Sequence, residues 1–252
     1  MPNYTLASVH SSSAASLPMA LQEQSVIQHL WNIAERSLRG ELEETIGYAV
    51  FTEELCAHKR HFPISTSPII FPQIRLLWDS AQPHRRKRSA LPDLGIGQIS
   101  DEGAVQLLGG VEQKAAIEQM RSYPHPDAIR EETDARTSFN RAAIQARDQI
   151  RTAVRAGALP NNMSIAWIVA VGPYFMFRNF DIFTPDELDT RFTPRPNDSG
   201  DYADTARTYN DWLCAAETEL LGPIYRIGTN TASAAISNYI EAGSILYNGT
   251  RN

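Results

Sequence analysis

Apolar positions recur at spacings of three and four along much of the chain, the period of an amphipathic helix. Leu21, Val26, Ile27, Leu30, Trp31, Ile33, Ala34 and Leu38 mark one such stretch from Pro18, and Glu41 to Cys56 a second beyond Gly40. Asp127 to Ala158 is the longest, with Pro126 just before it and Gly157 and Pro160 as its stop. Asp201 to Leu221 and Ala232 to Leu246 read as further helices. Shorter ones are expected at Gln73–Ser80, Asp101–Leu108 and Gly110–Ser122, and from Pro185 with Thr184 as N-cap. Two strongly apolar elements, Met163 to Val171 and Tyr174 to Phe183, are divided by Gly172-Pro173, and Ile64 to Phe71 has the β-branched content of a short edge strand. The pattern therefore predicts a mainly α, all-alpha protein. Residues 1–17 would form a flexible arm, 18–246 a single helical core domain and 247–252 a polar tail.

Composition changes this picture little. With 252 residues, 42% of them apolar and 21% charged, the chain has the make-up of an ordinary globular domain. No apolar run reaches the roughly 18 residues of a membrane span, and the N-terminus lacks the basic and apolar regions of a secretory signal. Cys56 and Cys214 are too few for a disulfide framework and read as thiols of a reducing compartment.

Charge is more informative. The net charge of −6 argues against a nucleic-acid partner, but its distribution is uneven. Residues 161–252 are acidic, whereas 136–160 hold Arg136, Arg141, Arg147, Arg151 and Arg155 against the single acid Asp148. On a helical wheel of about 100° per residue the five guanidinium groups span about 140°, beside an apolar face of Phe139, Ala142, Ala143, Ala146, Ile150 and Ala153. Such a row can follow a phosphate backbone. It can equally be a solvated face, or pair with the acidic last third. A second basic cluster, His84 to Arg88, lies between prolines.

The aromatic run Tyr174 to Phe183 can stack on bases or fill a core. Its Phe180-Asp181-Ile182-Phe183 stretch, preceded by Arg178, resembles the core motif of the coat proteins of flexuous filamentous plant viruses, the potexvirus and potyvirus kinds. That resemblance implies an α-helical subunit whose arms clasp its neighbours and whose basic groove holds RNA, with Arg178 and Asp181 at the motif.

Other chemistry is sparse. Cys56-Ala-His58-Lys-Arg-His61 lacks the fourth ligand of a zinc site, and Leu94-Gly-Ile-Gly97 lacks the third glycine of a dinucleotide fingerprint. The expectation is a structural protein and not an enzyme: a self-assembling viral coat or nucleocapsid subunit, in the virion and the host cytoplasm. It would package single-stranded RNA through Arg136, Arg141, Arg147, Arg151 and Arg155, helped by Arg178, with no cofactor, no metal and no membrane partner. Two alternatives stand beside it. One is an all-α metal-dependent enzyme using the Asp-rich 186–204 region, and the other is a helical adaptor for protein contacts.

Overall fold

The structure, a computed structural model, describes residues 26–32, 44–59, 68–73, 76–78, 88–90, 92–99, 103–122, 124–189 and 222–249. Its centre is not a helix bundle but a six-stranded mixed sheet in the order β1-β4-β5-β6-β7-β8, which corrects the mainly α, all-alpha expectation. The strands are β1 (Ile69–Pro72), β4 (Leu94–Ile99), β5 (Val105–Lys114), β6 (Ile165–Val171), β7 (Tyr174–Phe180) and β8 (Tyr225–Arg226). All neighbouring pairs are antiparallel except β5 and β6, which run parallel. A small hairpin of β2 (Leu76–Trp78) and β3 (Arg88–Ala90) lies beside the central helix.

Helices cover both faces. On one side lie α1 (Glu44–Lys59), α5 (Asn230–Gly249) and the helical residues 26–32, packed through Trp31, Phe51, Leu55, Ile236 and Ile240 onto Leu94, Ile96, Val111, Ile168 and Phe175. On the other, α3 (Thr133–Arg155) packs Phe139, Ala142, Ala143, Ala146, Ile150 and Ala153 onto Trp167, Val169 and Val171. This is the apolar face expected from the sequence. The short helix α2 (Pro126–Glu131) precedes α3, so the single helix expected over Asp127 to Ala158 is broken at Glu132. The segment from β5 through α2 and α3 to β6 is the long crossover that a parallel pair requires.

Where the reading failed, strands replaced short helices. Gln73–Ser80 contains β2, and Asp101–Leu108 and Gly110–Ser122 together supply β5 before a short 3-10 turn at Glu118–Ser122. The two apolar elements around Gly172-Pro173 are a β-hairpin, and the run Ile165–Val171 is near-continuously apolar because β6 is covered on both faces.

A bulge in β5 explains why its pattern misleads. Ile96 pairs with Gly109 and Gly97 with Leu107, which leaves Leu108 as an extra residue. Leu107 joins the α3-side core, and Val111, four residues on, joins the α1-side core. Alternation is thus broken within one strand. Gly109 and Gly110 are required by close approach: a Cβ on the first would enter the Tyr239 side chain, and on the second the Trp167 indole.

The arm 1–17, the cluster at 84–87, the helix expected over 201–221, Asp198, Asp201, Asp204 and Cys214 lie outside the described residues. No helix among the described residues is long and apolar enough to cross a membrane. A Gly110→Ala variant is expected to lose about 1–3 kcal/mol through overpacking against Trp167. Chemical denaturation checks this, and wild-type stability would show that the indole moves aside at little cost.

Candidate functional site

The bulge has a chemical consequence. Beyond Leu108 the even-numbered residues of β5 face α3, so Glu112 and Lys114, two apart on a strand, lie on the same side of the sheet. Asp93, just before β4, comes to the same end through its carboxylate, whose Oδ2 accepts the Gln113 N–H at 2.7 Å. Its own carbonyl accepts the N–H of Gln73 at 2.9 Å, where the chain turns with φ +47°. Gln149 reaches in from α3.

These groups are tightly engaged. Glu112 is only 2% exposed; its Oε1 accepts from Lys114 Nζ at 2.6 Å and its Oε2 from Gln149 Nε2 at 2.5 Å. Lys114 Nζ also donates to the Gln113 carbonyl at 3.2 Å. Burial, and then the charge of Asp93, push the Glu112 carboxyl up to about 7, against the pull of Lys114 and Gln149. Two carboxyl groups and one ammonium therefore gather at this end of β5. The Lys114 side chain is 18% exposed and Asp93 half-buried, so the site meets solvent at the end where β5 and β6 finish and β4 begins. In open sheets with helices on both faces, ligands bind at such ends, beyond the carboxyl termini of parallel strands.

Sequence reasoning missed all four residues. The signal present was Pro92-Asp93 followed by Glu112-Gln-Lys114. It becomes meaningful only if 105–114 is a strand, because a helix would set Glu112 and Lys114 about 200° apart.

The residues singled out from sequence are dispersed. Arg136 and Arg141 are exposed on α3, Arg136 with Nη2 3.4 Å from Thr133 Oγ1. Arg147 pairs with Glu187 at 2.7 Å and lies over the Phe183 ring. Arg151 is 4% exposed, donating to Asp148 at 2.5 Å and to the Glu187 carbonyl at 3.1 Å. Arg155 is half-buried at the end of α3. Arg178 is half-buried on β7, opposite Trp167, and Asp181 beyond that strand is exposed and accepts from Ser164. Phe180 and Phe183 are core residues.

Within the acidic 186–204 region, Thr184 and Glu187 form a reciprocal capping box around α4 (Pro185–Asp189). Burial opposes the Glu187 charge, but the bonds from Thr184 and Arg147 hold its carboxyl below the usual range. His58 and Ser233 tie α1 to α5: the His58 Nε2 lies 3.2 Å from both Glu54 Oε1 and Ser233 Oγ. Both partners meet one ring nitrogen, whereas a Ser–His–acid relay uses the two nitrogens separately. Among the described residues no group of three His, Cys, Asp or Glu side chains assembles.

No family model, curated protein or solved structure matches this chain, and nothing there links it to the coat proteins its Phe180–Phe183 stretch resembles.

A carboxyl raised in the fold costs stability that grows as pH climbs from its unfolded to its folded titration range. Glu112→Gln, in chelator, is expected to raise Tm at pH 8 and to raise it less at pH 6, by calorimetry. A lower Tm at both values would mean that the Lys114 bond outweighs burial and Asp93.

Proposed function

We propose that the chain is an enzyme, a divalent-cation-dependent phosphodiester hydrolase. The observation that carries this reading is the convergence of Asp93, Glu112 and Lys114 at the end of β5, with Gln149 fixing the glutamate.

The donor set fits a hard cation. Asp93, Glu112 and the main-chain carbonyl of Gln113 are all oxygen donors, and Mg²⁺ typically takes only one or two carboxylates, completing its shell with water and substrate phosphate. Two carboxylates without a histidine or thiol suit that cation and not zinc. The mutual repulsion of Asp93 and Glu112 is what a divalent ion would relieve. Such an ion supplies Lewis acidity to a phosphoryl oxygen.

The chain's own groups account for the rest. The Asp93 carboxylate is oriented by the Gln113 N–H, which engages Oδ2. Glu112 is held by Gln149, so its orientation does not depend on Lys114 alone. The Lys114 ammonium, at the more open side, is placed to stabilise the charge that develops on phosphoryl oxygens and to orient the attacking water.

The RNA-packaging expectation rests on a continuous Arg row. Arg147 and Arg151 of that row are engaged with Glu187 and Asp148, which favours the enzymatic reading over it.

Titration calorimetry with Mg²⁺ and Mn²⁺, and hydrolysis of bis(p-nitrophenyl) phosphate and of oligonucleotides, test the proposal. Expected are cation-dependent turnover and a loss of about 10²–10³-fold in Lys114→Ala, with similar or larger losses in Asp93→Asn and Glu112→Gln at unchanged circular dichroism. Turnover that persists in chelator, or wild-type rates in those variants, would overturn it.

A further inference from the structure

We propose that Gln113 is, through its side chain, a positioning residue for the site of Asp93, Glu112 and Lys114. By it helix α1 and the β6–β7 turn hold the end of β5 in place. This rests on the reading of that site as a phosphodiester hydrolase, and it is separate from the roles of the Gln113 main chain.

The end of β5 needs such support because the sheet holds it on one side only. The last residue pair between β4 and β5 is Leu94 with Val111, so Glu112, Gln113 and Lys114 overhang β4. Toward β6 they remain paired, from Glu112 with Val169 to Lys114 with Val171. On the overhanging side the Asp93 carboxylate stands in for a strand by accepting the Gln113 N–H at 2.7 Å. The placement of Asp93, Glu112 and Lys114 thus depends on how three residues of backbone are held.

The Gln113 side chain supplies that hold. It is buried, and its Nε2 donates to the carbonyls of Lys114 at 2.8 Å and Gly172 at 3.1 Å. Both partners only accept, so the amide has one orientation; turned over, its oxygen would face two carbonyl oxygens. The Lys114 carbonyl also accepts the Gly172 N–H at 2.9 Å, which clasps the last residue of β5 to the turn from two directions. The turn is itself fixed. Gly172 has φ +53° and a Cβ there would strike Ala116, while the Pro173 carbonyl accepts the Ile227 N–H at 2.9 Å. From the other direction α1 comes so close that a Cβ on Gly47 would lie 2.6 Å from Gln113 Nε2. The three atoms nearest that Cβ all belong to the Gln113 side chain, so at Gly47 the helix bears on β5 through this amide.

The test uses four variants of the full chain: Gln113→Met, which keeps the volume and loses the donor, then Gly47→Ala, Gln113→Ala and those two combined. Amide hydrogen exchange by NMR compares the N–H groups of residues 113 and 172 with those of Ile168 and Val169. Hydrolysis of bis(p-nitrophenyl) phosphate in Mg²⁺ gives kcat and KM. In Gln113→Met the amides at 113 and 172 are expected to exchange about tenfold faster, with Ile168 and Val169 unchanged. kcat is expected to fall about 10- to 100-fold at similar KM. Gly47→Ala is expected to lower kcat alone and to add no further loss to Gln113→Ala, because the atoms it would strike are gone. Wild-type exchange at 113 and 172, or wild-type kcat, in Gln113→Met would overturn the inference. So would an equal loss of protection at Ile168 and Val169, which marks a residue that only stabilises the sheet, or an effect of Gly47→Ala that is the same in both backgrounds. Should Gly47→Ala alone not fold, recovery in the double variant supports the contact and failure to recover overturns it. If the wild type shows no cation-dependent hydrolysis, the hydrolase reading falls, and the exchange pattern alone decides the role of Gln113.

Discussion

One extra residue, Leu108, decides which side of the sheet carries the chemistry. Without that bulge, Leu107, Gly109, Val111 and Gln113 would share a face, and Glu112 and Lys114 would lie under α1. With it, Leu107 and Glu112 both face α3, and Gln149 can close on the glutamate. The glycines on either side of the change are filled by neighbours from opposite faces, Gly109 by Tyr239 and Gly110 by Trp167. Packing therefore fixes the register of the bulge, and the bulge fixes the site.

The site itself is held at a cost. Glu112 is withdrawn from water and set near a second carboxylate, and the fold compensates with Lys114, with Gln149, and with the main-chain N–H of Gln113 on Asp93. A cluster arranged only for stability would be improved by removing a charge. Elsewhere the molecule does pair its charges singly, as Arg147 with Glu187 and Arg151 with Asp148. The carboxylate pair at Asp93 and Glu112 differs from these, and a divalent ion would relieve its repulsion.

The helical part of the fold was legible because its period survives in the sequence. The apolar face of α3, the stop at Gly157, the Thr184 cap and the break at Gly172-Pro173 all depend on local spacing, and each stands where it was expected. β5 was not legible, for a physical reason: the bulge shifts the alternation by one, two adjacent glycines erase side-chain pattern, and Glu112 and Gln113 look solvent-facing when they are buried, with Lys114 half-buried beside them. Once 105–114 was read as helical, the spacing of Glu112 and Lys114 lost its meaning. Asp93, nineteen positions upstream, then had nothing to join. The aromatic run was legible as core material, but its strand conformation divides it between two faces, with Tyr174 and Phe180 on one and Phe175 on the other.

The arginine helix shows how a pattern correct in one dimension divides in three. Five guanidinium groups on one broad arc do not share one neighbour, because the two edges of α3 meet different parts of the molecule. Arg147 and Arg151 turn toward α4, where Glu187 and the Phe183 ring receive them, and they hold that helix to the core. Arg136 and Arg141 stay exposed on the helix. Pairing then separates the roles: an arginine already bonded to a carboxylate adds little to a phosphate, whereas an exposed one keeps its charge for solvent. At the end of β5 a bound cation would make attractive to a phosphodiester what the carboxylates alone would repel.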